Sequence, residues 1–236
     1  MQFKQQTQRG IPMKKSRIAA AFALLTLSAT VLAQAPAAPA GAPAQPPQDT
    51  SMSFFVTSVG LGKGANLGGL AGADAHCAAL AEAAGTTGKT WHAYLSTTGA
   101  GGVNAKDRIG KGPWFNSKNQ LVARSVDHLH YSNVLLNKTN SITEKGGTVN
   151  GVGDTPNQHD ILTGTNPDGT AAADSTCNNW TDESADFKAT LGHLDRTGGG
   201  AMAESWNAAH QSRGCSQENL IASGGNGYFY CFATGE

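Results

Sequence analysis

The chain has 236 residues, with seventeen Lys and Arg against seventeen Asp and Glu, thirty glycines and four cysteines. The balance hides an asymmetry: residues 1–33 hold five basic residues and no acid, so the rest carries twelve basic against seventeen acidic residues, a net charge of −5. No Lys/Arg cluster remains in that acidic part, which excludes nucleic acid and anionic membrane as expected partners, since both require a basic surface.

Residues 1–33 read as a secretory signal peptide. Lys14, Lys15 and Arg17 form a basic start, residues 18–27 an apolar stretch, and Val31-Leu32-Ala33 a peptidase-type end. The apolar stretch is shorter than the about 20 residues of a membrane span. Met13 offers a second candidate start, and no cysteine follows to carry a lipid anchor. Residues 34–51 are Pro/Ala-rich and read as a semi-extended linker. Residues 52–236 then form one domain, long enough for a single core. The expectation is a secreted or periplasmic protein with no membrane insertion after signal removal. Four cysteines in an exported domain read as disulfides rather than as a metal site.

Along the domain, residues 53–60 predict a first strand and a glycine-rich loop follows to Gly69. Residues 71–84 predict the longest helix, with Cys77 in its middle and Gly85 stopping it. Residues 90–96 alternate as a strand, with Trp91, Ala93 and Leu95 on one face and His92, Tyr94 and Ser96 on the other. Asn104 is expected to cap a short helix through Ile109. Residues 112–123 predict a hairpin turning at 117–119, and Ser125 a short capped helix through Tyr131. The polar, glycine-rich stretch 137–160 predicts a long loop, of the length that is functional or mobile in compact domains. Strands are expected again at 160–164, 177–181 and 203–208, a tight turn at 166–169, a capped helix at 216–221 and a closing strand at 227–233.

Few motifs point to chemistry. Gly60-Leu61-Gly62-Lys63-Gly64 lies between strand and helix but lacks the phosphate-loop spacing. His128 and His130 would face one way only on a strand, and the local pattern is helical, so no zinc pair is expected there. His76 stands beside Cys77, whose sulfur cannot ligate once oxidised. No Ser/His/Asp elbow or paired carboxylates stand out, and no enzyme is expected.

The tail is more specific. Its order is Asn166-Pro167-Asp168, Cys177, Trp206-Asn207, Cys215 and Cys231. This order resembles the C-type lectin-like domain, and the resemblance implies the pairs Cys77–Cys231 and Cys177–Cys215. In sugar-binding members, oxygens at the matching places hold a calcium ion that ligates sugar hydroxyls, as suits an ion that takes several oxygen ligands. The resemblance implies Asn166, Asp168, Trp206 and Asn207 as candidate ligand-binding residues. It implies Asn166, Asp168, Asp174 and Asn207 as the candidate calcium set, with Asp195 as a substitute carboxylate. Ala208 stands where the family's second carboxylate would be, and Trp206 lies farther from Cys215 than usual. Trp180, Trp206 and Tyr228 are candidates for sugar stacking, with core positions as the plainer expectation.

A second likeness covers more of the chain. Trp91-His92-Ala93-Tyr94, Gly112-Pro113-Trp114, residues 162–169 and Cys177-Asn178-Asn179-Trp180 are similar to the endostatin domain of collagens, a divergent C-type lectin-like fold. Endostatin's heparin-binding arginines and N-terminal zinc histidines have no counterpart here. The whole also looks like exported bacterial lectins. The fold implied is α+β, a twisted antiparallel sheet with short helices, long loops and two disulfides. The function implied is a non-catalytic carbohydrate-binding or adhesion module. The alternative is a module on the same fold that binds an extracellular or envelope protein instead of glycans.

Overall fold

In the computed structural model, residues 47–133, 135–200 and 202–234 are described. The signal peptide, both candidate starts and linker residues 34–46 lie outside them. The strands, in chain order, are β1 (Phe54–Val56), β2 (Thr90–Ala93), β3 (Trp114–Phe115), β4 (Leu121–Ala123), β5 (Asp160–Leu162), β6 (Thr190–His193), β7 (His210–Gln211) and β8 (Gly225–Thr234). The helices are α1 (Gly69–Ala83), α2 (Ala105–Arg108) and α3 (Gln217–Ser223).

β8 is the axis of the domain. β1 runs antiparallel along one edge, while β2, antiparallel, and β5, parallel, share the other. The order continues from β5 through β6 to β7, each step antiparallel. A central strand is buried on both faces, and β8 reads that way: Phe229, Cys231 and Ala233 enter one core cluster while Tyr228, Tyr230 and Phe232 enter another. The same alternation holds in the β2 segment, where Trp91, Ala93 and Leu95 join the first cluster and Tyr94 the second.

α1 covers the first cluster. Its buried positions Ala73, Cys77 and Ala81 recur every four residues, a stripe small enough for the helix to lie close to β2. Asp74 fastens this helix, accepting from the Ala93 amide (2.8 Å) and from Arg108 of α2 (2.6 Å). Gly85, in the left-handed region, ends the helix as expected. The β3–β4 hairpin and Trp206 cover the second cluster. All four cysteines lie in the first cluster, bonded as Cys77–Cys231 and Cys177–Cys215, the pairs the resemblance implies. The result is a mixed α+β domain with short helices and two disulfides, and its sheet is mixed rather than the antiparallel one expected, because β5 runs parallel to β8.

Three expected elements differ. Residues 177–181 are not a strand: Cys177, Asn178, Asn179 and Trp180 all have positive φ, from 46° to 67°, a left-handed helical turn. Each L-residue there costs about 1–2 kcal/mol, least for the two asparagines. The offset comes from Asn179, which donates to and accepts from the Thr98 backbone (3.1 and 2.8 Å), and from buried Trp180, whose indole donates to the Ser96 carbonyl at 2.7 Å. Residues 203–208 are irregular, and the short strand lies just beyond them at His210–Gln211. The helix expected from Ser125 to Tyr131 is a π-helical turn over His128–Ser132, with the Ser125 hydroxyl accepting from the His128 amide.

Candidate functional site

Two places gather chemistry, and the sequence pointed to only one. The first is a cleft of about 240 Å³ lined by residues 129–133, Pro167, Arg196, Ser205, Trp206 and Asn207. Asn207 builds it. Its buried amide donates to the carbonyls of Asn166 (3.0 Å) and Pro167 (3.3 Å) and shares protons with Tyr94 Oη and Thr165 Oγ1. The Asn166-Pro167 turn and the Trp206-Asn207 pair are thereby held side by side. Trp206 is buried among Tyr94, His130 and Tyr230, and Trp180 and Tyr228 are buried too, so none of the three presents an open stacking face. Tyr131 does, being 69% exposed on the cleft wall. The Arg196 guanidinium donates to the Asn133 carbonyl (2.6 Å), and its other N–H groups meet no acceptor among the described residues.

The expected calcium oxygens are arranged as follows. Asn166 donates to Thr170 Oγ1 and the Ala171 carbonyl. Asp168 accepts from the Thr170 amide and hydroxyl and faces Lys106 at 3.9 Å, and these contacts hold its carboxyl below the usual range. Asn207 turns its amide inward as above. Asp174 is exposed and lines a different depression, with Thr98, Asn178 and Phe187. The structure thus brings Asn166, Asp168 and Asn207 into one neighbourhood and leaves Asp174 apart from them.

The second place lies on β5, β6 and β7. Strand register sets Asp160 opposite His193 and Leu191 opposite His210, so Asp160, His193 and His210 share a face of the sheet. His159 directly precedes β5, and the β5–β8 pairing is irregular between Asp160 and Leu162. Three imidazole Nε2 atoms consequently converge on one oxygen, Asp160 Oδ1: His159 at 3.3 Å, His193 at 3.3 Å and His210 at 3.4 Å. The ligand atoms of His159, Asp160 and His193 all lie within 4.8 Å of one another, and these three residues are buried. His210 closes the group from the more open side, with 31% of its side chain exposed.

Each ring is held through its other nitrogen. Nδ1 of His159 meets Asp195 Oδ1 at 2.9 Å, Nδ1 of His193 the Ala203 carbonyl at 2.8 Å and Nδ1 of His210 the Gln211 carbonyl at 3.0 Å. Carbonyls and carboxylates only accept, so each Nδ1 carries a proton, and each Nε2 lies on the Asp160 side of its ring. Among the described residues, neither Asp160 oxygen nor His193 Nε2 has an aligned hydrogen-bond partner. Burial raises the Asp160 carboxyl, but the closeness of His193, His210 and His159 outweighs it and holds the group below the usual range. His210 is pushed up, chiefly by Asp160. Asp195 is raised by burial and lowered further by His159 and the Val152 and Thr197 amides, ending below its usual value. Gly198 roofs the group: a Cβ there would stand 2.9 Å from His159 Cε1 and 3.3 Å from His193 Cε1.

The sequence reading did not reach His159, Asp160, His193 or His210, and it met Asp195 only as a spare calcium ligand. The available signal was a His-Asp pair opening a strand, with two further histidines in later β segments.

Fold and sites together define a disulfide-braced α+β domain with an open cleft and a buried histidine–aspartate group beside it. The chain belongs to the family described as a protein of unknown function (DUF1554), whose model matches residues 61–197, more than half of its length. Among curated proteins, none matches the chain. No helix among the described residues is long and apolar enough to cross a membrane.

Proposed function

We propose that the mature domain is an exported, non-catalytic carbohydrate-binding module of C-type lectin-like, endostatin-like type, with its ligand site in the cleft between the π-helical turn and the Trp206-Asn207 pair. The observation that carries this reading is the cleft itself, which joins the two tail segments of the lectin-like pattern under an exposed tyrosine. Tyr131 supplies an aromatic face for the apolar side of a sugar ring, and Arg196 supplies donors for its hydroxyls. Asn166, Asp168 and Asn207 are engaged within the protein, so the reading assigns sugar contacts to side chains and requires no calcium in the cleft.

A glycan array probed with the mature domain, with and without calcium, tests this. Binding to a glycan class, weakened at least tenfold by Tyr131→Ala and by Arg196→Ala with unchanged thermal stability, is the expected outcome. Silence of the array, with both disulfides intact, contradicts it. A protein captured from envelope extract and not displaced by simple sugars would favour protein binding on the same fold.

A further inference from the structure

We infer that His159, Asp160 and His193 form a three-ligand site for a divalent transition ion, zinc foremost, that ties β5 to β6, with His210 of β7 on its open side. Four observations converge on it. First, zinc bonds to nitrogen and oxygen are about 2.0–2.1 Å long, so a tetrahedral site has ligand–ligand edges of about 3.3–3.4 Å, whereas an octahedral site of similar bond length has edges near 3.0 Å. His159 Nε2 and His193 Nε2 each stand 3.3 Å from Asp160 Oδ1, and the ligand atoms of the three residues all lie within 4.8 Å of one another. Second, the donor set suits the ion: neutral imidazole nitrogens and one carboxylate, with no thiolate, since all four cysteines are in disulfides.

Third, His159 and His193 are each held by an acceptor on the far nitrogen, and the His159–Asp195 contact is the carboxylate–histidine pairing seen behind zinc ligands. Fourth, the buried polar atoms aimed into the group are otherwise unanswered: both oxygens of Asp160 and Nε2 of His193 lack partners. An imidazolium at His210 would answer one oxygen of Asp160 and still leave the lone pairs of His159 and His193 facing it. A cation at the centre answers Asp160 Oδ1 and both imidazoles together.

The three ligands are buried and the ion's remaining position faces partly exposed His210, so the role assigned to the ion is to brace the β5–β6 pair. Its reach is long. Asp195, behind His159, also accepts from the Val152 amide at 2.8 Å, so one ion would anchor the 137–160 loop as well as the segment after β6.

The test uses tag-free mature protein stripped with a chelator and titrated with zinc alone and with cobalt alone. The inference expects one zinc per chain, a rise in melting temperature on loading, and an intense visible cobalt spectrum of the four-coordinate type. His159→Gln removes a ligand and should weaken zinc at least tenfold. Asp195→Asn should weaken it by about 10- to 100-fold through His159 alone. If His193→Ala fails to fold, these two variants still decide the matter. Substoichiometric zinc, a weak six-coordinate cobalt spectrum, or zinc affinity unchanged in His159→Gln would overturn the inference.

Discussion

Around β8 the chain is held by covalent bonds. Cys231 ties the strand to α1, and Cys215 ties the segment before α3 to the left-handed turn at Cys177, all within an apolar cluster. Around β5–β7 there is no cross-link, and the same problem of fixing long loops to short strands falls to a group of charged and lone-pair-bearing side chains. The two regions differ in what they need from outside. A disulfide restricts the unfolded chain and asks nothing further once formed. The histidine–aspartate group leaves a buried carboxylate without aligned partners, and a buried charge is costly unless it is answered. Covalent bracing thus makes one half of the sheet indifferent to its solution, while the other half is built to respond to it.

The largest expected effect breaks the covalent side. The Cys77→Ala/Cys231→Ala pair opens a 154-residue separation and should destabilise by about 5 kcal/mol, against about 4 kcal/mol for Cys177→Ala/Cys215→Ala across 38 residues. Either is comparable with the whole stability of a typical domain. Urea unfolding of the variants measures both losses, and neither should depend on zinc.

The next prediction separates the two regions by sign. Zinc at a hundredfold excess over its dissociation constant should stabilise the parent by about 2.7 kcal/mol. Asp160→Asn should abolish that increment. In chelator, however, the same variant should be as stable as the parent or more so, because a buried unpaired charge is replaced by an amide able to donate to a histidine lone pair. Paired melts with zinc and with chelator read out the crossover, and a loss of stability in chelator would count against it.

The smallest effect lies at the cleft. His130 is held neutral, its titration lowered by burial first and by Lys106, against the opposing pull of the Val126 carbonyl, Asp168 and Asp127. Its Nδ1 donates to the Val126 carbonyl and its Nε2 accepts from Tyr94 Oη. A folded value below the unfolded one means that the unfolded chain binds the proton first. Stability from His130 is therefore present above the ordinary histidine value of 6.5 and is lost as the pH falls below it. Ring-nitrogen NMR should show the Nδ1-protonated tautomer persisting below pH 6.5, and a normal titration there would contradict the assignment.

Much of the frame was legible in the chain. The small-residue stripe Ala73, Cys77 and Ala81, the alternation of residues 90–96 and the aromatic run 227–233 each reveal an element through its own periodicity. Both halves of the cleft were legible as motifs, because Asn166-Pro167 and Trp206-Asn207 carry local signals. The histidine–aspartate group was not, because it depends on register between strands far apart in sequence. His159 and Asp160 are neighbours that a regular strand would turn to opposite faces, and they converge because one lies just before β5. Cys177 to Trp180 misled in another way: its buried ends suggest a strand, whereas the two central asparagines make a left-handed turn tolerable.

The most direct measurement is diffraction on either side of the zinc absorption edge, from crystals of tag-free protein grown with equimolar zinc. The account predicts one anomalous peak per chain, about 2.0–2.1 Å from Nε2 of His159 and His193 and from an Asp160 oxygen. Peaks confined to surface histidines such as His128, with Asp160 and His210 joined by a direct proton-bearing contact, would contradict it.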